Sequence, residues 1–180
     1  MMRKRIERSW KIQHSEVPLP WRTWVLHTGS FMQHLAQQGV RDAYIHVLQQ
    51  RWQLPLPEER RLLGIDFRSY VLMREVVILS AASQWMFART VILRGTLTGK
   101  EQQLAHLKSR SLGSVLFRNP ALQRSKFDIA FLKRGLKWHN KVTKAVKLTL
   151  PDLWARRSLF SLCGKTLLLT EVFLPDLATL

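Results

Sequence analysis

With a single cysteine, Cys163, the chain cannot form an internal disulfide, which suits a reducing compartment. No apolar run approaches the roughly 20 residues that a bilayer-spanning helix needs. The basic stretch Met1 to Lys11 is not followed by the apolar segment of a secretory leader, so a cytoplasmic location is expected. Acidic residues are scarce: 12 against 29 Lys and Arg, a formal net charge of +17. That excess favours anionic surfaces as nonspecific partners. It does not mark a specific nucleic-acid reader, because zinc-finger spacing, an RNA-recognition signature and a convincing helix-turn-helix are all missing. His14, His27, His34, His46, His106 and His139 are scattered and form no zinc motif. His27 and His34 could share a helix face, but two ligands make a poor metal site. There is no P-loop and no dinucleotide glycine fingerprint. Cys163 has no local histidine to lower its pKa, which argues against a nucleophile. Repeats and low-complexity linkers are also missing, so residues 1–180 are expected to form one domain.

What the chain does have is charge placed inside strand-like apolar runs. In Thr166 to Pro175, alternation puts Leu167, Leu169, Glu171 and Phe173 on one face. An ionised carboxylate among such neighbours costs several kcal/mol unless a cation or hydrogen-bond donor meets it. Tyr70 to Leu79 carries Arg74 and Glu75, which must face opposite ways; Leu72, Arg74, Val76 and Ile78 share a face. In Trp85 to Leu93, Arg89 shares a face with Trp85, Phe87 and Val91. These charges fit either structural ion pairs or a closed pocket for a small carboxylate, which arginine can grip with two parallel hydrogen bonds.

Residues 1–12 are expected to be a mobile arm or short lead-in helix. Trp21, Trp24, Thr28, Phe31, Met32 and Leu35 then fall on one helical face, with Pro20 at the start, a possible kink at Gly29 and Gly39 as C-cap. Residues 42–52 have strand character, and 55–64 suggest a loop with a charged turn. The runs around Arg74 and Arg89 suggest a hairpin joined by residues 81–84. A short helix over 98–107 and a turn at Ser111-Leu112-Gly113 follow. Residues 154–162 and 166–174 suggest a second hairpin. Between Lys133 and Leu150 there are six Lys or Arg and no acid. That segment is either a solvated basic helix or a docking site for an anionic membrane or acidic partner. Antiparallel strands with helices set between them give an α+β fold with one sheet.

Several of these stretches resemble the chorismate lyase family: Arg74-Glu75-Val76-Val77-Ile78-Leu79, Trp85 through Ala88-Arg89-Thr90-Val91, Leu112-Gly113 with Leu116-Phe117, and Arg156-Arg157-Ser158 through Gly164-Lys165 to Leu167-Leu168-Leu169-Thr170-Glu171-Val172-Phe173-Leu174-Pro175. The resemblance implies a single-domain α+β fold with an antiparallel sheet and a buried active site. It implies cofactor-independent cleavage of chorismate to 4-hydroxybenzoate and pyruvate, the first committed step toward ubiquinone, by a monomer. On the same basis Arg74 binds the ring carboxylate and Glu171 contacts the ring hydroxyl. Backbone groups at Leu112 and near Phe31 complete the pocket, and Arg89 lies on an adjacent ligand path. Residues 133–150 depart from the family pattern as a basic insertion, which suggests peripheral contact between 133–147 and an anionic membrane.

The competing reading is a non-catalytic sensor of small carboxylates. The effector domains of GntR-type regulators resemble this fold, but they usually follow a DNA-binding winged helix, for which the first 40 residues are too few. A third reading makes the basic surface primary, with no chorismate turnover.

Overall fold

The computed structural model describes residues 10–81 and 83–180. Most of the expected N-terminal arm, and Ala82 of the first hairpin turn, therefore lie outside the described residues. The end of that arm is anchored. Trp10 is buried edge-on against Trp138 beneath the Arg157 guanidinium, and Ile12 bridges to Ile129.

Seven antiparallel strands form one sheet. They are β1 (Tyr44–Gln53), β2 (Val71–Leu79), β3 (Gln84–Leu93), β4 (Leu122–Arg124), β5 (Asp128–Leu132), β6 (Leu153–Leu162) and β7 (Lys165–Phe173). Their spatial order is β1-β2-β3-β7-β6-β4, with β5 also paired to β6. Both faces are covered, so β2 and β3 are buried at nearly every position, Arg74, Glu75, Arg89 and Thr90 included, instead of alternating between core and solvent. The front face carries Arg74, Val76, Ile78, Ala88, Thr90, Leu169 and Glu171. Against it lie α1 (Leu19–Val25), α2 (Phe31–Gln37), a 3₁₀ helix (Gly99–His106) and α4 (Leu112–Leu116). The back face carries Val77, Phe87, Ala155 and Val172 and is covered by α3 (Pro57–Leu63) and α5 (Lys137–Val146).

Local chemistry explains where the elements differ from expectation. The single expected helix across Trp21 to Leu35 is two helices, because Ser30 is extended and its Oγ caps α2 through the Gln33 N–H at 3.4 Å. The expected loop at 55–64 is the helix α3. It has Pro57 in its first turn, Glu59 accepting from the Leu56 N–H at 2.8 Å, and Gly64 at φ 63° closing its C-terminus. The expected turn at 111–113 starts α4, with Ser111 Oγ accepting from Ser114 N–H at 3.0 Å. Trp85 joins the front cluster rather than the face of Phe87 and Val91. The reason is a bulge: Ile78 pairs with Met86, while Leu79 pairs with Gln84.

The basic segment 133–150 contains α5, which is packed and not merely a solvated face. Its inner side buries Trp138, Val142 and Val146 against the sheet, and His139 bonds the Pro151 carbonyl at 2.8 Å. The second hairpin is tight. Cys163 and Gly164 both adopt positive φ, 50° and 77°, as a two-residue turn matching strand twist requires.

Candidate active site

The front of the sheet, α2 and α4 enclose a cavity of about 60 Å³. Its floor is Val76, Ile78, Met86, Ala88, Thr90 and Leu169, and Phe31, Met32, Leu116 and Phe117 form much of its wall. Polar groups enter at few points, chiefly Arg74 from β2, Glu171 from β7 and Arg124 from β4. A largely apolar hollow with a few convergent polar groups is the usual form of a small-molecule site. Gly113 lets the wall close: a Cβ there would come 3.0 Å from the Phe117 ring.

Arg74 is only 2% exposed. Its Nη2 donates to the carbonyls of Lys108 at 2.8 Å and Arg110 at 3.1 Å. Its Nε is buried without a partner, and among the described residues no carboxylate faces the guanidinium. Burial lowers its pKa to about 10. A dry cation whose Nε–H has no acceptor and whose charge no carboxylate answers could receive an incoming carboxylate.

Glu171 has its partners already. Arg156, directly opposite on β6, binds it through Nε at 2.6 Å and Nη2 at 3.0 Å. Arg124 adds Nη2 at 3.1 Å. Burial pushes the carboxyl up, but the two guanidinium groups together outweigh it and hold it below the ordinary carboxylate range. Glu171 is therefore an ionised acceptor. Arg156 Nη1 also donates to the carbonyls of Trp24 at 3.2 Å, Val25 at 3.1 Å and His27. These carbonyls end α1, where intrahelical donors run out, so one arginine ties the α1–α2 junction to the site carboxylate. Arg124 completes its own set with Ser158 Oγ at 2.8 Å and the Thr28 carbonyl at 3.2 Å. Burial is the main reason its pKa also falls to about 10.

The structure brings Arg74, Glu171, Leu112 and Phe31 together around this cavity and leaves Arg89 out of it. Leu112 and Phe31 are the first residues of α4 and α2, where backbone N–H groups have no intrahelical acceptor. Arg89 faces the back. It binds Glu59 through Nε at 2.6 Å and Nη2 at 3.0 Å, and Glu75 through Nη1 at 2.7 Å. Lys141 of α5 also reaches Glu75, at 2.9 Å. The expected place of Arg89 on a ligand path beside the cavity is corrected by register: Glu75 pairs with Arg89, while Arg74 pairs with Thr90. Adjacent strand residues point to opposite faces.

Arg124 and Arg156 are the site residues that residue-by-residue reading missed. The signal for Arg156 was present. In a hairpin with a two-residue turn, six residues back from Leu162 and six forward from Lys165 are Arg156 and Glu171. Arg124 lies on a three-residue strand in a stretch without periodicity, and no comparable signal points to it. The rings of His27 and His34 stack at 4.2 Å. Among the described residues, no three His, Cys, Asp or Glu side chains gather where they could hold a metal.

Comparison with known proteins gives a consistent result. The chorismate lyase family model matches residues 7–179. A probable chorismate pyruvate-lyase of Aromatoleum aromaticum is 36% identical over 166 residues, covering 91% of this chain and 89% of that one. Its counterpart from Methylococcus capsulatus is 35% identical over 153 residues, covering 85% and 93%. Among solved structures, the C-terminal domain of PhnF superposes with a TM-score of 0.59 at 16% identity, over 73% of this chain and 82% of that one. A GntR-family transcriptional regulator from Bacillus cereus gives 0.56 at 14% identity, over 75% and 93%. At such identities these two structures share the fold alone.

Proposed function

The chain belongs to the chorismate lyase family, and from that premise we propose that it converts chorismate to 4-hydroxybenzoate and pyruvate, supplying the aromatic precursor of ubiquinone. The observation that carries this reading is the unanswered Arg74 guanidinium at an apolar cavity that Glu171 also lines. Chorismate has a ring carboxylate for Arg74 and a ring hydroxyl for Glu171. Its enolpyruvyl arm bears a second carboxylate, for which Arg124 is the other arginine lining the cavity.

The reaction breaks the ether bond between ring carbon and enolpyruvyl oxygen. The hydroxyl-bearing carbon loses its hydrogen, and the ring becomes aromatic. The leaving enolpyruvyl group gains one proton on its methylene carbon and becomes pyruvate, so the atoms balance without a further reactant. Aromatisation supplies the driving force. The protein's task is to hold the substrate in a reactive geometry and keep water out. Arg74 fixes the ring through its carboxylate. Glu171, held ionised by Arg156 and Arg124, accepts the hydroxyl proton in a hydrogen bond and sets the ring's rotation. The serine-capped starts of α2 and α4 bring Phe31 and Leu112 to the cavity edge. The cavity is smaller than the about 150 Å³ that accommodates benzene, so α2 or α4 moves outward to admit the ring.

The test is to mix purified protein with chorismate and follow aromatic product and pyruvate together. Equal amounts of 4-hydroxybenzoate and pyruvate are expected. Saturable 4-hydroxybenzoate binding without turnover would make the chain a sensor, and a different aromatic isomer would keep the pocket but replace the reaction.

Outside the site, α5 supports contact with an anionic membrane. Lys137, Lys144 and Lys147 face solvent, flanked by Leu136 and Leu148, each 43% exposed. Basic side chains with flanking apolar anchors are what an interfacial helix presents to acidic lipid.

A further inference from the structure

A second hollow opens on the outer side of α4. It is a cleft of about 550 Å³ between the Gly99–His106 helix and residues 110–120, and it includes Lys100, Glu101, Arg110, Ser114, Arg118 and Asn119. Three cations line it against a single acid. That acid, Glu101, is engaged by Lys165 Nζ at 2.5 Å. Among the described residues, Arg110 and Arg118 have no carboxylate partner. The cleft therefore has a strong positive field that its own side chains do not cancel.

This cleft backs directly onto the inner cavity. Leu116 lines both, and Ser111, Leu112, Gly113 and Phe117 border the inner one from the same short helix and its ends. Arg110 touches both sides differently: its side chain lines the cleft, while its carbonyl accepts from Arg74. The partition is one five-residue helix, α4, with exposed residues on either side. Leu116 lining both hollows puts an anion held in the cleft one short helix away from the inner cavity.

We propose that the cleft is a capture site for the small carboxylate substrate, holding it on Lys100, Arg110 and Arg118 until α4 moves and Arg74 receives it. This step rests on the lyase reading above. A cleft lined by one sign of charge concentrates ligands of the other sign and raises association rates by about 10- to 10³-fold. The charges act on entry and make no contact with the finally bound ring, so they alter the association rate far more than the dissociation rate.

The experiment is stopped-flow binding of 4-hydroxybenzoate, followed by tryptophan fluorescence, in parallel with steady-state turnover of chorismate. The variant is Lys100→Glu with Arg118→Glu; both residues are exposed, and neither touches the inner site. Its association rate should fall about tenfold at low salt, with the dissociation rate within about twofold of wild type. The deficit should close at about 0.5 M salt, where screening shortens to a few ångströms. Lys100→Gln with Arg118→Gln should fall by about threefold, between the two. The control is Lys137→Glu with Lys144→Glu, an equal change of net charge on α5 across the sheet, which should leave the association rate unchanged. An unchanged rate in the cleft variants, or an equal fall in the α5 control, would overturn the capture site while wild-type turnover left the lyase assignment standing. A wild-type protein that neither turned over chorismate nor bound 4-hydroxybenzoate would instead remove the lyase reading, and the capture step with it.

Discussion

Replacing Arg74 with methionine separates what this residue does for binding from what it does for folding. Methionine keeps the length and apolar stem but removes the charge and every donor. For binding, the loss is a bidentate carboxylate contact. Hydrogen bonds to charged groups contribute about 1.5–3 kcal/mol each, so two cost about 3–6 kcal/mol. At about 1.4 kcal/mol per decade, kcat/KM falls about 10²- to 10⁴-fold. For folding, the ledger differs. The change removes a buried cation that no carboxylate offsets, which is stabilising. It also removes two bonds to the carbonyls of Lys108 and Arg110, residues on an exposed loop where water can replace the donor. These effects oppose each other, and Tm should move by no more than about 4 °C, or about 1 kcal/mol at this chain length. Arg156→Met is the contrasting case, because it leaves buried Glu171 with Arg124 alone and strands the carbonyls that end α1. Breaking a buried pair costs about 3–5 kcal/mol, which lowers Tm by about 6–20 °C. Turnover is measured as pyruvate release from chorismate, and Tm by circular dichroism. Wild-type turnover in Arg74→Met would refute the binding role. A fall in Tm as deep as that of Arg156→Met would show that Arg74 is a structural residue.

Three further outcomes follow from the same geometry. Arg89→Met should lower Tm by about 6–20 °C, because it leaves buried Glu59 without its guanidinium and Glu75 with Lys141 as its cation, at a cost of about 3–5 kcal/mol. Turnover per folded molecule below the transition should stay within about threefold of wild type, and a selective loss of turnover would restore Arg89 to the ligand path. The pH profile of kcat/KM should be a broad plateau. Arg74, lowered by burial, loses its proton as pH rises through about 10, so activity falls there. Glu171, depressed by Arg156 and Arg124, protonates only below the ordinary carboxylate range. Its contribution to stability is fully present above its unfolded value and disappears as pH falls through the lower folded one. A basic limb near neutrality would contradict this assignment. Finally, sedimentation with vesicles at low salt should retain more protein on anionic than on neutral lipid, and Lys137→Glu with Lys144→Glu should abolish the difference. Equal retention would remove α5 as a membrane contact.

The strands and the main charges were legible because their signals are local. Apolar runs broken by Arg74, Arg89 and Glu171 locate β2, β3 and β7, and the tight turn at Cys163-Gly164 locates the second hairpin. What the front cavity needed from elsewhere in the chain was harder to see. Glu171 required a cation, but Arg124 comes from a strand 47 residues away in sequence. Alternation within β3 correctly set Arg89 with Phe87 and Val91, but could not say which face of β2 that side meets. Only cross-strand register decides that, and it sends Arg89 to Glu75. The helix α3 was missed although Pro57, Glu59 and Gly64 are ordinary helix-boundary signals, because its short charged segment has little apolar periodicity.

Arg74 and Glu75 are chain neighbours with opposite fates: one waits in the cavity for a partner, and the other lies in a closed ion cluster behind the sheet. A single-residue deletion between Glu75 and the hairpin turn would exchange them, because the turn fixes the register and a slip of one sends every earlier side chain of β2 to the other face. The hollow would then present an anion to its anionic substrate, and Arg89 would face a cation across the strand. Point substitutions in the cavity wall can be tried by evolution one at a time, but length changes within this hairpin cannot. The sign of the site's charge is thus written in the spacing of the strand as much as in the identity of any residue.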